Sequence, residues 1–400
     1  MKKFTKMLIV FVGSFKSDAF KSLVCDSSDP HVGGAKKQVL LVRSIVSSEV
    51  DVEVISTAVG TVEAWNWFQL KSVHQILPEG CVKVDHPLTF RKRPFWYPLL
   101  VFSVVVKVLI NWLFRPPSSL VVYNCYIAES FVIIIARWFF GIPTVVVLDD
   151  LPGVRGGIRS PKVILERICS WFSLRCVDSF VLVNNSISKH VRRKGVYFTV
   201  LPGIVDDRLL RYRRTRCCPF SKNNYTLFYC GGLSFERGVN SLIDLVDYLP
   251  EKWRIVVAGA GPMEGIFKEL DAKFNGKIKY LGCIDDDQLF RFLCEADAVI
   301  NPLEQLNDSD GVFPFKVIEY IASGSHVISV GLPHIAGCNI EWIQRWTGLA
   351  ADLPRLLNSA HRDYREEKSQ RDEAEKWVLD NCLLSSLNGF INKNIKTRRE

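Results

Sequence analysis

The sequence predicts an α/β protein built from two doubly wound domains. Three observations carry that expectation. Continuous apolar, β-branched segments alternate with helical ones, the pattern of parallel strands buried on both faces. The alternation stops at a basic, core-poor stretch and then restarts. Glycine-rich turns directly follow several strand segments. With 400 residues, 48% of them hydrophobic, the chain can bury two cores of ordinary size. Two such domains in one chain are expected to face a cleft at the carboxyl ends of their strands, where open α/β sheets bind ligands.

In chain order, "MLIVFVG" reads as a first strand, "GGAKKQVLLVRSIV" as a helix opening at Gly33 and Gly34, and "VDVEVIST" as the next strand. "PLLVFSVVVKVLINWLF", residues 98–114, follows the basic triplet Arg91, Lys92 and Arg93. A spanning helix needs ~20 mostly apolar residues, and a central lysine costs ~2.5–3.5 kcal/mol. Lys107 and Asn111 therefore argue for a helix partly buried in the domain and partly at a lipid interface. "SLVVYNCY", "GIPTVVVLDD" and "SFVLVNN" complete the first set of strands.

Arg208 to Asn224, "RLLRYRRTRCCPFSKNN", marks the boundary. The domains expected are 1–210, a basic linker 211–224, and a second domain 225–372; a helix in 373–400 returns toward the first domain. The second domain reads as "YTLFYCGG", a helix from about Gly238, "RIVVAGAGP", a helix, "KIKYLG", "DDDQLFRFLCEA" and "DAVINP". In "DDDQLFRFLCEA", Leu289, Phe292, Leu293 and Ala296 follow helical spacing and predict one buried face. A last short helix is opened by Pro314 and closed by Gly324. On it Lys316 and Glu319 stand about a turn apart. They read either as an ordinary surface pair, or as a cation and an acceptor for an anionic, hydroxyl-bearing ligand at the helix start.

Charge is unevenly placed: residues 1–216 hold 30 Lys and Arg against 16 Asp and Glu, residues 217–400 hold 21 against 26. No nucleic-acid motif accompanies the basic half, so an anionic membrane surface is the expected partner. The 12 cysteines and 7 histidines form neither a CxxC pair nor an HExxH, so neither a zinc site nor a disulfide framework is expected. "MKKFTKMLIVFVG" has no small-residue cleavage site after its apolar run, which points to a cytoplasmic protein. In "CGGLSFERG", Gly231 and Gly232 follow a strand with Arg237 near the next helix; in "AGAGP", Gly259 and Gly261 repeat the device. Either pair is plain turn geometry or lets backbone approach a phosphate. Asp149 and Asp150, closing the strand in "VVVLDDLPG", are acceptor-activating carboxylates or turn caps.

The ordered set "GGLSFERGVNSLI", "RIVVAGAGP", "KIKYLG", "LFRFLCEADAVINPL" and "FPFKVIEYIASGSHVIS" resembles the donor-binding domain of GT-B glycosyltransferases, in particular the retaining family GT4. The resemblance covers 225–330, more loosely the first half through "GGAKKQ" and "GIPTVVVLDDLP". It implies two Rossmann-like domains and transfer from a nucleotide-diphosphate sugar to a lipid-linked or cell-surface polysaccharide acceptor, with no metal or other cofactor. It implies that Glu319 accepts the ribose hydroxyls, that Arg237 and Lys316 hold the diphosphate, and that amides from Val312 to Phe315 approach sugar and phosphate. Gly259, Gly261, Cys283 and Ile284 would border the base, and Gly33 and Gly34 would form the acceptor-side loop. Phe313 and Asp310 fall in the same donor segment.

Two departures stand out. The first acid of the family's E-x7-E motif falls at Gly311, beside Asp310, and an arginine common ahead of the "RG" step is Gly232. Either Asp310 replaces the acid or Gly311 amides hold the sugar. These losses motivate two other readings, a non-catalytic sugar-nucleotide or partner-binding protein and a sugar-nucleotide epimerase. "DSD" at 308–310 reads as loop rather than as a metal-binding strand end.

Overall fold

The computed structural model describes residues 7–17, 32–46, 50–58, 72–86, 96–149, 161–191, 196–215, 220, 223–274, 276–303, 314–330 and 343–385. Two compact units divide the chain, with breaks between Leu201 and Pro202 and between Leu383 and Leu384.

The first unit is an eight-stranded sheet in the order β3-β4-β2-β1-β5-β6-β7-β8. β1 (Met7–Gly13) pairs in parallel with β2 (Val50–Ser56) and β5 (Ser119–Tyr123). β6 (Thr144–Leu148), β7 (Ser179–Leu182) and β8 (Tyr197–Val200) extend it in parallel; β3 (Val73–Leu77) is an antiparallel hairpin partner of β4 (Gly80–Asp85). The central strands are apolar throughout because helices cover the sheet. α1 (Val32–Ile45) follows β1, and α2 (Trp96–Phe114), α3 (Ile127–Phe139) and α4 (Pro161–Ser173) pack side by side, with α5 (Ser188–Val191) after β7.

α2 is the segment expected to lie partly at a lipid interface. Leu100, Val104, Val108 and Trp112, four residues apart, form a buried stripe along it. The interrupting Lys107 is accounted for within the unit, its ammonium 3.1 Å from the buried carboxylate of Asp85. Among the described residues no helix is long and apolar enough to cross a membrane.

The second unit is an all-parallel six-stranded sheet in the order β11-β10-β9-β12-β13-β14. Its strands are β9 (Tyr225–Cys230), β10 (Trp253–Ala258), β11 (Ile278–Tyr280), β12 (Ala298–Asn301), β13 (His326–Ser329) and β14 (Gln344–Arg345). Helices α6 (Leu209–Arg214), α7 (Asn240–Leu245), α8 (Glu264–Lys273), α9 (Asp286–Glu295), α10 (Phe315–Ser323), α11 (Leu353–Glu366) and α12 (Lys368–Asn381) belong to it.

Three expectations change here. The stretch taken as a basic linker from 211 begins inside α6, a helix docked on α9 and α10. Leu209 is fully buried, Tyr212 packs on Phe290, and Arg213 donates to the Ala322 carbonyl and pairs with Glu375. Arginine density reads as solvated linker, but apolar neighbours and carbonyl partners hold these arginines against the unit. The segment expected to return to the first domain from 373 begins inside α12, which packs on α10 and buries Ala374 and Val378 in the second unit, while Leu384 groups with the first unit. In α9 the buried side chains are Phe290, Leu293 and Cys294, while Leu289 and Phe292 are half-buried. The capping box of Asp285 and Gln288 starts that helix; Leu293 and, at its end, Ala296 are buried as the spacing suggests, and Phe290 rather than Leu289 completes the inward face.

Candidate functional site

In the second unit the strand ends converge. Gly231 N–H donates to the Ala258 carbonyl (3.0 Å) and Leu233 N–H to the Ala260 carbonyl (2.9 Å), so the chains leaving β9 and β10 stay zipped past the sheet edge. Gly259 sits at φ 134°, and a Cβ there would lie 1.9 Å from the Gly231 carbonyl oxygen; at Gly261 it would lie 2.4 Å from that of Leu233. Both glycines are therefore demanded by the close approach of two backbones. Gly259 N–H also donates to the Gly282 carbonyl (2.8 Å), and the Tyr280 hydroxyl to the Gly259 carbonyl (2.7 Å). These bonds bring Gly231–Gly232, Gly259–Gly261 and Cys283–Ile284 to one edge of the sheet, with Cys283 exposed and Ile284 half-buried.

α10 points into the same edge. Pro314 caps it, Gly324 ends it at φ 73°, and its buried run from Val317 to Ser323 packs it onto the sheet. Glu319 is 5% exposed, so the surface-pair reading of Lys316 and Glu319 does not hold. The Lys316 ammonium lies 4.1 Å from the Tyr229 ring centroid, and the Tyr229 hydroxyl donates to the Gly232 carbonyl (3.0 Å). A Cβ built on Gly231 would stand 3.0 Å from that ammonium. Gly232, in contrast, has open space: a Cβ there would meet only the Arg237 stem, at 3.9 Å. Lys316 thus reaches the Gly231–Gly232 turn from a different helix.

Desolvation lowers the Lys316 ammonium pKa to about 7, with Arg237 pushing the same way and Cys230 opposing. Arg237 is exposed, and its charge is felt by the neighbouring Glu236 carboxylate. Two cations therefore stand at a glycine-lined strand edge, Lys316 half-buried and Arg237 exposed beside Glu236. Chemically this is a place for an anion.

The first unit carries a different cluster at the carboxyl ends of β1, β5 and β6. Lys37, one turn into α1 past Gly33 and Gly34, is 3% exposed at its side chain and places its ammonium 2.5 Å from Asp149 Oδ1. The Tyr123 hydroxyl donates to Asp149 Oδ2 (2.6 Å), and Asp149 N–H donates to Asn124 Oδ1 (2.8 Å). Asp149 is therefore neither a turn cap nor an unengaged base. Both its oxygens are held, each with lone-pair capacity left for one more donor. Nearby Glu129, in the first turn of α3, is 3% exposed and accepts a hydrogen bond from Thr57 (2.5 Å). Burial raises its pKa to about 7, against the pull of the Thr57 hydroxyl.

Lys37, Tyr123 and Glu129 were not among the residues singled out from sequence. Lys37 had a local signal, its place just past "GG"; Tyr123 and Glu129 become visible only when β5 is set between β1 and β6. Asp150, Asp310, Gly311, Val312 and Phe313 lie outside the described residues, so the departure at Gly311 has no structural account. Among the described residues no group of three or more His, Cys, Asp or Glu side chains is arranged to hold a metal ion.

Comparison with known proteins meets this geometry. The family described as Glycosyl transferases group 1 matches residues 224–360, the second unit's sheet and its α11. That match lies within the second unit. Beyond it, the chain superposes end to end on solved glycosyltransferases of the GT-B fold. Sucrose-phosphate synthase from Thermosynechococcus elongatus aligns with a TM-score of 0.69 at 12% identity, covering 98% of this chain and 99% of that one. The Anabaena HepE protein in complex with UDP and glucose aligns at 0.61 and 15% identity, covering 98% and 100%. The lipopolysaccharide outer core galactosyltransferase WaaB aligns at 0.59 and 14%, covering 98% and 100%. A search of curated proteins returned no match. The fold is that of GT-B glycosyltransferases, and residues 224–360 match the group 1 family.

Proposed function

We propose that this protein moves a sugar from a nucleotide-diphosphate donor to a lipid-linked or cell-surface glycan acceptor at an anionic membrane surface, with retention at the anomeric carbon. The single observation that carries the donor half is the Lys316 ammonium at the Gly231–Gly232 turn, with the exposed Arg237 close enough to feel its charge. As the bond from the anomeric carbon to the diphosphate breaks, negative charge gathers on the departing phosphate. Lys316, Arg237 and the amides of the zipped turns neutralise it where it develops. Glu319 receives the ribose hydroxyls, and Cys283 and Ile284 border the base. Glu319 and Lys316 share a helix because one meets the ribose and the other the phosphates.

Asp149, with Lys37 and Tyr123 fixing its rotamer, orients an acceptor hydroxyl in the first unit. Two protein cations serve the leaving group without a divalent metal, so turnover is expected to survive EDTA. The reading is also supported against a non-catalytic protein, because the cation lost at Gly232 has a replacement. The deciding experiment is a thermal-shift panel with UDP, GDP, ADP and CMP on the wild type and on Glu319→Gln. A ligand at 100 times its dissociation constant stabilises by about 2.7 kcal/mol. A shift for one nucleotide that is lost in Glu319→Gln is the expected result; no shift for any of the four overturns the donor site.

A further inference from the structure

α4 is built inside out. Its fully buried side chains are Ser170 and Ser173, and the Ser173 hydroxyl donates to Ser130 Oγ of α3 (3.1 Å) across a polar helix contact. Its large apolar side chains, Ile164, Leu165, Ile168, Trp171 and Phe172, are each about half exposed. Ile164, Ile168, Trp171 and Phe172 stand at i, i+4, i+7 and i+8, one continuous stripe. A helix with this pattern normally turns that stripe inward. Here α3 adds Phe131, Trp138 and Phe139 to the outward face, and α3 and α4 enclose a groove of about 720 Å³. Monomeric proteins seldom leave so large an apolar face uncovered without a partner for it.

The charges around the face say which partner. Its cations stand out: Lys162 and Arg137 side chains are 57% and 45% exposed, and Arg175 lays its guanidinium 3.3 Å over the Trp171 ring at the rim. Its acids are recessed and paired, Glu166 at 12% with Lys162 and Asp178 at 14% with Arg137. Tryptophan and phenylalanine at the centre with arginine and lysine above them is the layering of a bilayer interface, where rings sit at headgroup depth and cations meet lipid phosphates. We propose that the α3–α4 face docks on an anionic lipid bilayer, with Trp138, Phe139, Trp171 and Phe172 entering the interface and Arg137, Lys162 and Arg175 contacting headgroup phosphates. The proposal rests on the membrane-surface part of the function above and names its docking surface; it is independent of the donor site. α2 also leaves Phe102, Ile110, Leu113 and Phe114 exposed, so the test includes a variant on that helix.

The test is co-sedimentation of the full chain with vesicles of phosphatidylcholine alone or with 30% phosphatidylglycerol (roughly the anionic content of a bacterial membrane) at low and high salt. Trp138→Ser/Trp171→Ser is the face variant, Lys162→Gln/Arg175→Gln the charge variant, and Phe114→Ser on α2 the control. Binding only to anionic vesicles, weakened about tenfold or more by the face variant, reduced in its salt dependence by the charge variant and kept by the control, is expected. Nucleotide thermal shifts on the same proteins report folding of the donor unit and stand apart from the vesicle result. No sedimentation of the wild type at low salt overturns the proposal. So does a face variant that sediments like wild type, or light scattering that finds a dimer which the face variant dissociates, because a second copy then covers the face.

Discussion

The two clusters at the strand ends differ in one physical respect. In the first unit Asp149, Lys37 and Tyr123 satisfy one another, and the ion pair is closed. In the second unit Lys316 and Arg237 bring two positive charges together with only the exposed Glu236 beside Arg237, and the ammonium of Lys316 has its pKa lowered to about 7 in consequence of burial. A closed cluster is built to hold a neutral group by hydrogen bonds; an open one is built to be completed by an anion. Under the proposed function, that contrast separates the acceptor-orienting Asp149 from the leaving-group site at Lys316.

The contrast breaks hardest at Asp149. Asp149→Asn leaves the Lys37 ammonium buried without its counter-charge, and removing one partner of a buried pair costs about 3–5 kcal/mol. A melting-temperature drop of several degrees is expected, with Lys37→Met/Asp149→Asn recovering part of it. If Asp149→Asn is thermally silent, the pair is not what holds this edge. At the open cluster the expectation is reversed. Lys316→Met removes a poorly solvated cation, so stability holds or rises, while kcat/KM falls about 10²-fold, the usual cost of one preorganised charge on a developing anion. Steady-state kinetics beside calorimetry on one preparation checks both halves.

The same contrast sets a pH dependence. Lys316 titrates near pH 7 in the free protein. A bound diphosphate favours the charged ammonium, so binding takes up a proton at and above that pH. Nucleotide affinity is therefore full below pH 7 and falls as pH rises through it, by up to tenfold per unit, since one proton is linked to one ligand. Isothermal titration from pH 6 to 9 in buffers of different ionisation enthalpy reads both slope and proton. A flat profile would sink the assignment of Lys316 to the phosphates.

Much of the fold was legible because it rests on local patterns. Continuous apolar runs gave the parallel strands, and Pro314 with Gly324 bounded α10. The zipped strand ends were announced by Gly231, Gly259 and Gly261, which are needed wherever two backbones come this close. What escaped depends on partners distant in sequence. Lys37 and Asp149 are 112 residues apart, and nothing local to either announces the other. Lys107 looked like a flaw in an apolar helix because Asp85 lay elsewhere in the chain. Periodicity shows that α4 is two-faced but not which face is buried. The serine contact to α3 decides that, against the usual hydrophobic rule.

The smallest effect tests the claim that Lys316 stands in for a cation lost at Gly232. Gly232 does not have a left-handed φ, and a Cβ there meets nothing closer than 3.9 Å, so a side chain can be added without strain. Gly232→Arg in the Lys316→Met background puts a guanidinium where the ammonium had reached. It should restore up to about tenfold of the lost kcat/KM, less than the full amount because an exposed arginine is better solvated than the lysine it replaces. The rescued protein should also lose the pH dependence, since a guanidinium stays charged across the whole range. Rescue of rate that keeps the pH 7 transition would place the titrating group elsewhere, on Glu129 with its pKa raised to about 7. No rescue at all would mean that the geometry of α10, and not charge at the turn, is what Lys316 supplies.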